Sequence, residues 1–264
     1  MLIGAVTRIL QEAAEVAIVP RFRALAKAEV FQKSPGEVVT VADREAEDLI
    51  APRLQALVDA PVVGEEAAAV NPGLARALRE APAAWAVDPL DGTANFVAGR
   101  PEWAVMAALV QEGMTVAGWI VRPADDLVYE AESGAGAWRN GVRVRRAPTT
   151  ARPPELRGAV YTRCMDPGAR ARVKAAAPMF AEFGKGASCA GIDYSRLIDD
   201  ELDFVLFWRT LPWDHAPGTL LLTEAGGTVR RLDGTGYHPA DDEPGLLDAA
   251  DDECWHAVRP LLPG

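Results

Sequence analysis

Three short acidic stretches carry the chemistry available to this chain. Glu65 and Glu66 follow Gly64. Asp88 and Asp91 stand three residues apart in Asp88-Pro89-Leu90-Asp91-Gly92-Thr93-Ala94-Asn95-Phe96, and Asp214 ends Pro212-Trp213-Asp214. Two carboxylates aimed at one point repel each other unless a cation lies between them. Their hard oxygen donors select Mg²⁺ or Mn²⁺ over soft metals. Pro89 fixes its own φ and disfavours continuation of the preceding strand, so a turn is expected there. Gly92 lets the backbone approach an anion closely, and Thr93 adds a hydroxyl. Free N–H groups at Gly92 and Thr93 would hold phosphate oxygens if a helix begins at that point. Asp214 is expected as the N-cap of a helix whose first turn tolerates Pro217 and which Glu224 and Gly226-Gly227 close. Singly, each stretch reads as a turn, a solvated pair or a cap. Three together, each closing an apolar run, make an odd surplus of turn residues.

The elements around them follow from periodicity. Residues 2–28 carry apolar positions at helical spacing, with an interruption expected at Pro20. A second helix is expected over 43–58, with Asp43 as its N-cap and Ala46, Leu49, Ile50 and Leu54 as its apolar stripe. Strands are expected at 61–64 and 85–87, with a short helix near 73–80 between them. The runs 105–110, 115–121, 127–130 and 135–138, with the hairpin signal Asn140-Gly141, predict an antiparallel meander. Further helices are expected near 168–180, 191–200, 215–225 and 252–261, with a strand at 246–250. The prolines in 146–157 suggest a boundary between an N-terminal α+β segment, 1–150, carrying most acidic ligands, and a C-terminal α/β segment, 151–264, carrying Asp214 and the specificity region. The fold class is a layered α+β sandwich.

The 264 residues carry a formal net charge of −11. Such a chain repels a phosphodiester backbone, which argues against polymeric nucleic acid as a partner. An anionic small substrate would need a bridging cation. Cys164, Cys189 and Cys254 form no disulfide or zinc pattern, and a reducing cytoplasmic setting is expected. The N-terminus lacks the pattern of a secretory signal, and no apolar run predicts a membrane span.

On these stretches the chain resembles the inositol monophosphatase family of metal-dependent, lithium-sensitive phosphatases. The family pattern of Gly-Glu-Glu, Asp-Pro-(Ile/Leu)-Asp-Gly-Thr-x-Asn-Phe, and Trp-Asp-x-Ala-x-Gly with Glu-Ala-Gly-Gly stands here at 64–66, 88–96, 213–218 and 224–227. Lys33-Ser34 and Val39-Thr40-Val41-Ala42-Asp43 are similar to its early Lys and Thr-x-x-Asp elements. The resemblance implies an α/β/α/β/α fold and two or three Mg²⁺ ions. It implies Glu65, Asp88 and the Leu90 carbonyl on one ion, Asp88, Asp91 and Asp214 on a second, and Glu65 shared with a weaker third. It further implies that Glu65 and Thr93 orient or deprotonate a water, with Thr93 positioned by Asp43, and that no phosphoenzyme forms. Gly92, Thr93, Ser188, Asp193 and Arg209 are the expected substrate contacts, and a homodimer is the expected assembly. His215, His238 and His256 are expected to be structural.

The implied activity is Mg²⁺-dependent hydrolysis of a small phosphorylated metabolite. The alcohol part is less constrained. Inositol-cleaving members place a Glu seven residues before the Trp-Asp aspartate, and Phe207 stands there instead. A phenyl ring cannot accept a hydrogen bond from a hydroxyl. Phe207, Trp208 and Arg209 would line a pocket for an aromatic or doubly phosphorylated ligand, or the two rings would pack in the core. Histidinol phosphate, fructose 1,6-bisphosphate and 3′-phosphoadenosine 5′-phosphate are alternative substrates. A regulatory binding protein on the same fold is the alternative class.

Overall fold

The computed structural model of the chain describes residues 2–241 and 243–263. The chain opens with helix α1 (Leu2–Ala13), which widens through a π turn at Ala14–Ile18 and then tightens in a 3-10 turn at Val19–Arg21. The single helix expected to residue 28 therefore ends where Pro20 withdraws its N–H. A two-stranded ribbon follows, β1 (Val30–Ser34) and β2 (Glu37–Thr40), paired antiparallel. It leads directly into α2 (Val41–Leu57).

The central sheet has seven strands. β3 (Val62–Gly64) runs parallel to β4 (Ala83–Asp91), with α3 (Glu65–Val70) and α4 (Ala77–Glu80) between them. The meander β5 (Ala104–Gln111), β6 (Met114–Arg122), β7 (Leu127–Glu132), β8 (Gly136–Arg139) and β9 (Val142–Val144) completes it, each strand antiparallel to the one before. A short helix, α5 (Thr93–Val97), sits between β4 and β5. The second sheet has five strands: β10 (Arg157–Val160), β11 (Glu182–Gly184), β12 (Phe204–Phe207), β13 (Thr228–Arg231) and β14 (Leu246–Ala249), in the order β11-β10-β12-β14-β13. Helices α6 (Pro167–Ala176), α7 (Ala190–Ile198), α8 (Pro212–Ala225) and α9 (Asp252–Val258) belong to this half of the chain.

Alternation along the strands sets the layers. Trp85 and Val87 of β4 pack with Leu10, Ala46 and Ile50 of α1 and α2 on one face of the large sheet. Ala84 and Ala86 face Trp213 and Ala216 of α8 on the other. Tyr194 and Leu221, from α7 and α8, then meet Val205, Phe207 and Leu246 of the small sheet. The far face of that sheet, with Phe204 and Leu206, is covered by Val173 and Trp255 from α6 and α9. The result is the α/β/α/β/α sandwich. Its central helical layer is tight: a Cβ on Gly218 would lie 2.0 Å from the Tyr194 ring. Among the described residues no helix is long and apolar enough to cross a membrane.

Two caps differ from the sequence expectation. Thr40, not Asp43, caps α2: its hydroxyl accepts the Ala42 N–H, while Asp43 reaches back to the Thr40 N–H in a capping box. Leu211, not Asp214, precedes α8, and Pro212 takes the first helical position, so Asp214 lies within the first turn. The C-terminal end is as expected, with Gly226 at φ +103°.

Candidate active site

The strand β4 does not stop at Pro89. It continues to Asp91 through an irregularity in which Asp88 faces Met106 and Asp91 faces Ala104. Three steps on β4 oppose two on β5, so β4 carries one extra residue, a bulge. In a regular strand, residues three apart point to opposite faces. The extra residue restores the parity, and both carboxylates reach the same cavity. Pro89 is tolerated because the bulge needs no ladder N–H there.

After Asp91 the chain turns on Gly92 at φ +85°, where a Cβ would lie 2.8 Å from the Glu102 carbonyl oxygen. Only glycine fits that turn. It delivers Thr93, whose Oγ1 lies 2.8 Å from Asp43 Oδ1 and 3.0 Å from the Leu90 carbonyl oxygen. The other Asp43 oxygen accepts the Thr40 hydroxyl at 2.5 Å and the Thr40 N–H at 2.8 Å. Burial pushes the Asp43 carboxyl up to about 7, against the downward pull of its bonds from Thr40 and Thr93.

The Gly64-Glu65-Glu66 stretch begins α3. Its seating depends on Glu47, a residue the motif reading passed over. Glu47 accepts the N–H groups of Glu66 at 2.9 Å and Ala67 at 2.8 Å, filling the donors at the start of α3. A Cβ on Gly64 would lie 2.3 Å from the Glu47 carboxyl, which is why glycine precedes the glutamates. Lys33, on β1, reaches Glu65 at 3.0 Å and Glu66 at 2.7 Å. Burial alone would lower the Lys33 pKa; pairing with Glu65 and Glu66 outweighs it and raises it.

Glu65, Asp88, Leu90, Asp91 and Asp214 line one cavity of about 140 Å³, together with Gly92 and Thr93. Ser188 and Arg209 also line it, and Asp43 stands behind Thr93. Asp193 is elsewhere, which corrects its assignment as a substrate contact. It is wholly buried, and its carboxylate takes the Tyr161 hydroxyl at 2.7 Å and the Ala187 N–H at 2.9 Å. Its task is to hold the loop before α7. Asn95, in the central acidic stretch, has a structural task as well: its amide donates to the Glu102 and Ala187 carbonyls and so ties that loop to α5.

The electrostatics of the cavity are those of crowded, buried carboxylates that a cation would suit. Asp88 is pushed well up by burial and then by Glu65, Asp91 and Asp214. Asp214 is pushed well up by burial, then by Asp91 and Glu65, and it shares a hydrogen bond with Asp88. Burial raises Asp91 to about 6, although the Gly191 N–H at 2.6 Å and the Cys189 thiol at 3.1 Å both meet its Oδ2. Among the described residues no three His, Cys, Asp or Glu side chains are already closed into an ion cage. The donors nevertheless fit a hard divalent ion. They are all oxygens, they crowd at one cavity, and a cation between them would offset the mutual repulsion that helps raise Asp88 and Asp214.

A second cavity of about 370 Å³ adjoins the first and shares Asp91, Arg163, Ser188, Arg209 and Asp214 with it. Phe207 forms part of its wall and is also core: its ring lies 4.9 Å from Tyr161, 5.2 Å from Tyr194 and 4.6 Å from His215. His215 is structural. Its Nε2 meets the Arg209 carbonyl at 3.0 Å, so Nε2 carries the proton and Nδ1 accepts from the Tyr194 hydroxyl. Burial lowers its pKa to about 3, and it stays neutral.

The comparisons agree with this arrangement. The model of the inositol monophosphatase family matches residues 3–257. An inositol-1-monophosphatase of Mesorhizobium japonicum is 34% identical over 218 residues, 78% of this chain and 76% of the relative. The Nus factor SuhB of Vibrio cholerae is 29% identical over 77% of this chain and 75% of its own. Among solved structures, the extragenic suppressor protein suhB of Bartonella henselae superposes with a TM-score of 0.77 at 25% identity, covering 97% of this chain and 98% of that one. A match that runs nearly from end to end and takes in every acidic stretch at the cavity places this chain in the inositol monophosphatase family.

Proposed function

We propose that the chain is a Mg²⁺-dependent phosphomonoesterase acting on a small phosphate ester. The observation that carries this reading is the convergence of Glu65, Asp88, Asp91 and Asp214 on one cavity beside a threonine hydroxyl that a buried carboxylate orients. Asp88, Asp91, Asp214, Glu65 and the Leu90 carbonyl would hold two or three Mg²⁺ ions. Bound there, Mg²⁺ would supply Lewis acidity toward water and the ester oxygens. The protein's own part is positional. Asp43 in its ionised form accepts the Thr93 hydroxyl proton, which leaves a Thr93 lone pair to accept from a water beside Glu65. Lys33 restrains Glu65 and Glu66 from one side. The Gly191 N–H and the Cys189 thiol hold Asp91 from the other.

The alcohol of the ester would occupy the larger cavity, where Phe207 takes the place of a hydroxyl acceptor. Phosphate release from a panel of esters, with Mg²⁺ and with chelator, tests the reading. A regulatory binding protein on this fold would release phosphate from none of them. Retention of all four carboxylates favours catalysis.

A further inference from the structure

We propose that the ester this cavity takes carries a second anionic group, a phosphate or carboxylate on its alcohol part, and that Arg163 and Arg209 bind that group in place of Glu37. The proposal rests on the phosphatase reading and adds the class of substrate to it.

Asp91 and Asp214, on the side shared with the acidic cavity, are the larger cavity's only acidic lining residues. Arg163 and Arg209 line that shared side too, and Lys185 adds a third cation. The rest of the wall includes the rings of Tyr161, Phe207 and Trp208. A polyol would find rings where its hydroxyls need acceptors. An anion would find cations. Among the described residues no acidic side chain lies within ion-pair distance of Lys185.

The two arginines are not free. Glu37, on β2, places one oxygen 2.6 Å from Arg209 and 3.8 Å from Arg163. Its other oxygen accepts the Ser34 hydroxyl at 2.8 Å. These contacts outweigh the effect of burial and hold the Glu37 carboxyl below its ordinary range, so it is ionised. One carboxylate thus faces two guanidinium groups and engages only one closely. The side chains of Arg163 and Arg209 are 56% and 47% exposed, and an ion pair so open to water contributes little to stability. A phosphate or carboxylate on a ligand offers the same oxygens, and guanidinium groups bind such anions in two-pronged fashion. Glu37 is therefore an internal competitor that occupies the anion site when no ligand is bound.

Two matched substrate pairs test this: glycerol 3-phosphate against 3-phosphoglycerate, and glucose 6-phosphate against glucose 1,6-bisphosphate. The doubly anionic member of at least one pair is expected to have a kcat/KM higher by roughly tenfold or more, the return from one charged hydrogen-bonded contact. The pair that responds tells carboxylate from phosphate. Arg163→Gln is expected to reduce that preference, mainly through KM. Glu37→Gln is expected to increase it, because the competitor loses its charge. These opposite responses are the signature, since a purely structural ion pair would make both variants fail alike. Equal kcat/KM within both pairs, or two variants shifting the preference in the same direction, overturns the proposal. Calorimetry with the bisphosphate under chelation separates it from the phosphatase reading. Binding that depends on Arg163 without turnover contradicts the phosphatase and supports the anion site. Turnover without discrimination does the reverse, and neither binding nor turnover overturns both.

Discussion

Thr93 Oγ1 and Asp43 Oδ1 lie 2.8 Å apart, joining the turn after β4 to the first turn of α2. The contact exists because Thr40 caps α2 and claims only one of the two Asp43 oxygens. The other is left for Thr93. Asp43→Asn is expected to lower kcat by about 10²-fold, the scale of a misplaced proton acceptor. The double variant with Thr93→Ala is expected to be little worse than either single one, because both remove the same contact. A kcat/KM profile adds a sign. Asp43 accepts in its ionised form, so activity should rise as pH passes through about 7, and Asp43→Asn should lose that rise.

Glu47 and Gly64 form one mechanical unit. Glu47→Ala removes the acceptor for two N–H groups at the start of α3, and Gly64→Ala pushes a methyl into the same carboxyl. Each is expected to cost about 1–2 kcal/mol of stability. Each should also raise the Mg²⁺ concentration needed for half-maximal rate, because Glu65 rides on α3. Thermal melts and Mg²⁺ titrations on the same samples check both effects.

Asp248 is wholly buried on β14, and burial pushes its carboxyl up to about 8, against a smaller opposing effect of Tyr194. The folded chain therefore keeps a proton that the unfolded chain releases near pH 4. Stability from this group is full below pH ~4 and is lost as pH rises toward 8. Asp248→Asn keeps the group neutral throughout. Its stability is expected to gain on the unsubstituted protein steadily from pH ~5 to ~8, by an amount of order 4 kcal/mol at the upper end, read from melts across that range. A constant difference across that range would contradict the assignment.

Phe207→Glu, which restores the residue type of inositol-cleaving members, is not expected to restore their preference. The ring is enclosed by Tyr161, Tyr194 and His215 and is 2% exposed. A carboxylate there would place a nearly buried charge among those rings. A loss of roughly 3 kcal/mol or more in chemical unfolding is expected.

The acidic stretches were legible because each combines a residue type with a spacing that few structural roles require. Their placement was less so. Proline at 89 signals a stop, and the bulge that carries the strand past it to Asp91 depends on pairing with β5, sixteen residues downstream of Asp88 at Ala104. The ribbon β1–β2 escaped because residues 30–34 are mostly polar and only partly buried, so no alternation marks them. Strands β10, β12 and β13 are four residues each, too short for a period to register. Glu47 did leave a trace. It stands four residues after Asp43 on the same face of α2, where a second buried acid asks for a partner. Asp193 misled because an acid near a motif reads as a ligand contact until its own hydrogen bonds are seen to be full.

The central claim is that the four carboxylates act through a divalent cation. Phosphate release measured against Mg²⁺ concentration, for the unsubstituted protein and for Asp91→Asn, tests it most directly. The expected result is a saturable dependence on Mg²⁺ that chelator abolishes, with Asp91→Asn folded but slower by about 10²-fold or more at saturating Mg²⁺. Release that survives chelation, or near-normal turnover by Asp91→Asn at saturating Mg²⁺, would contradict it.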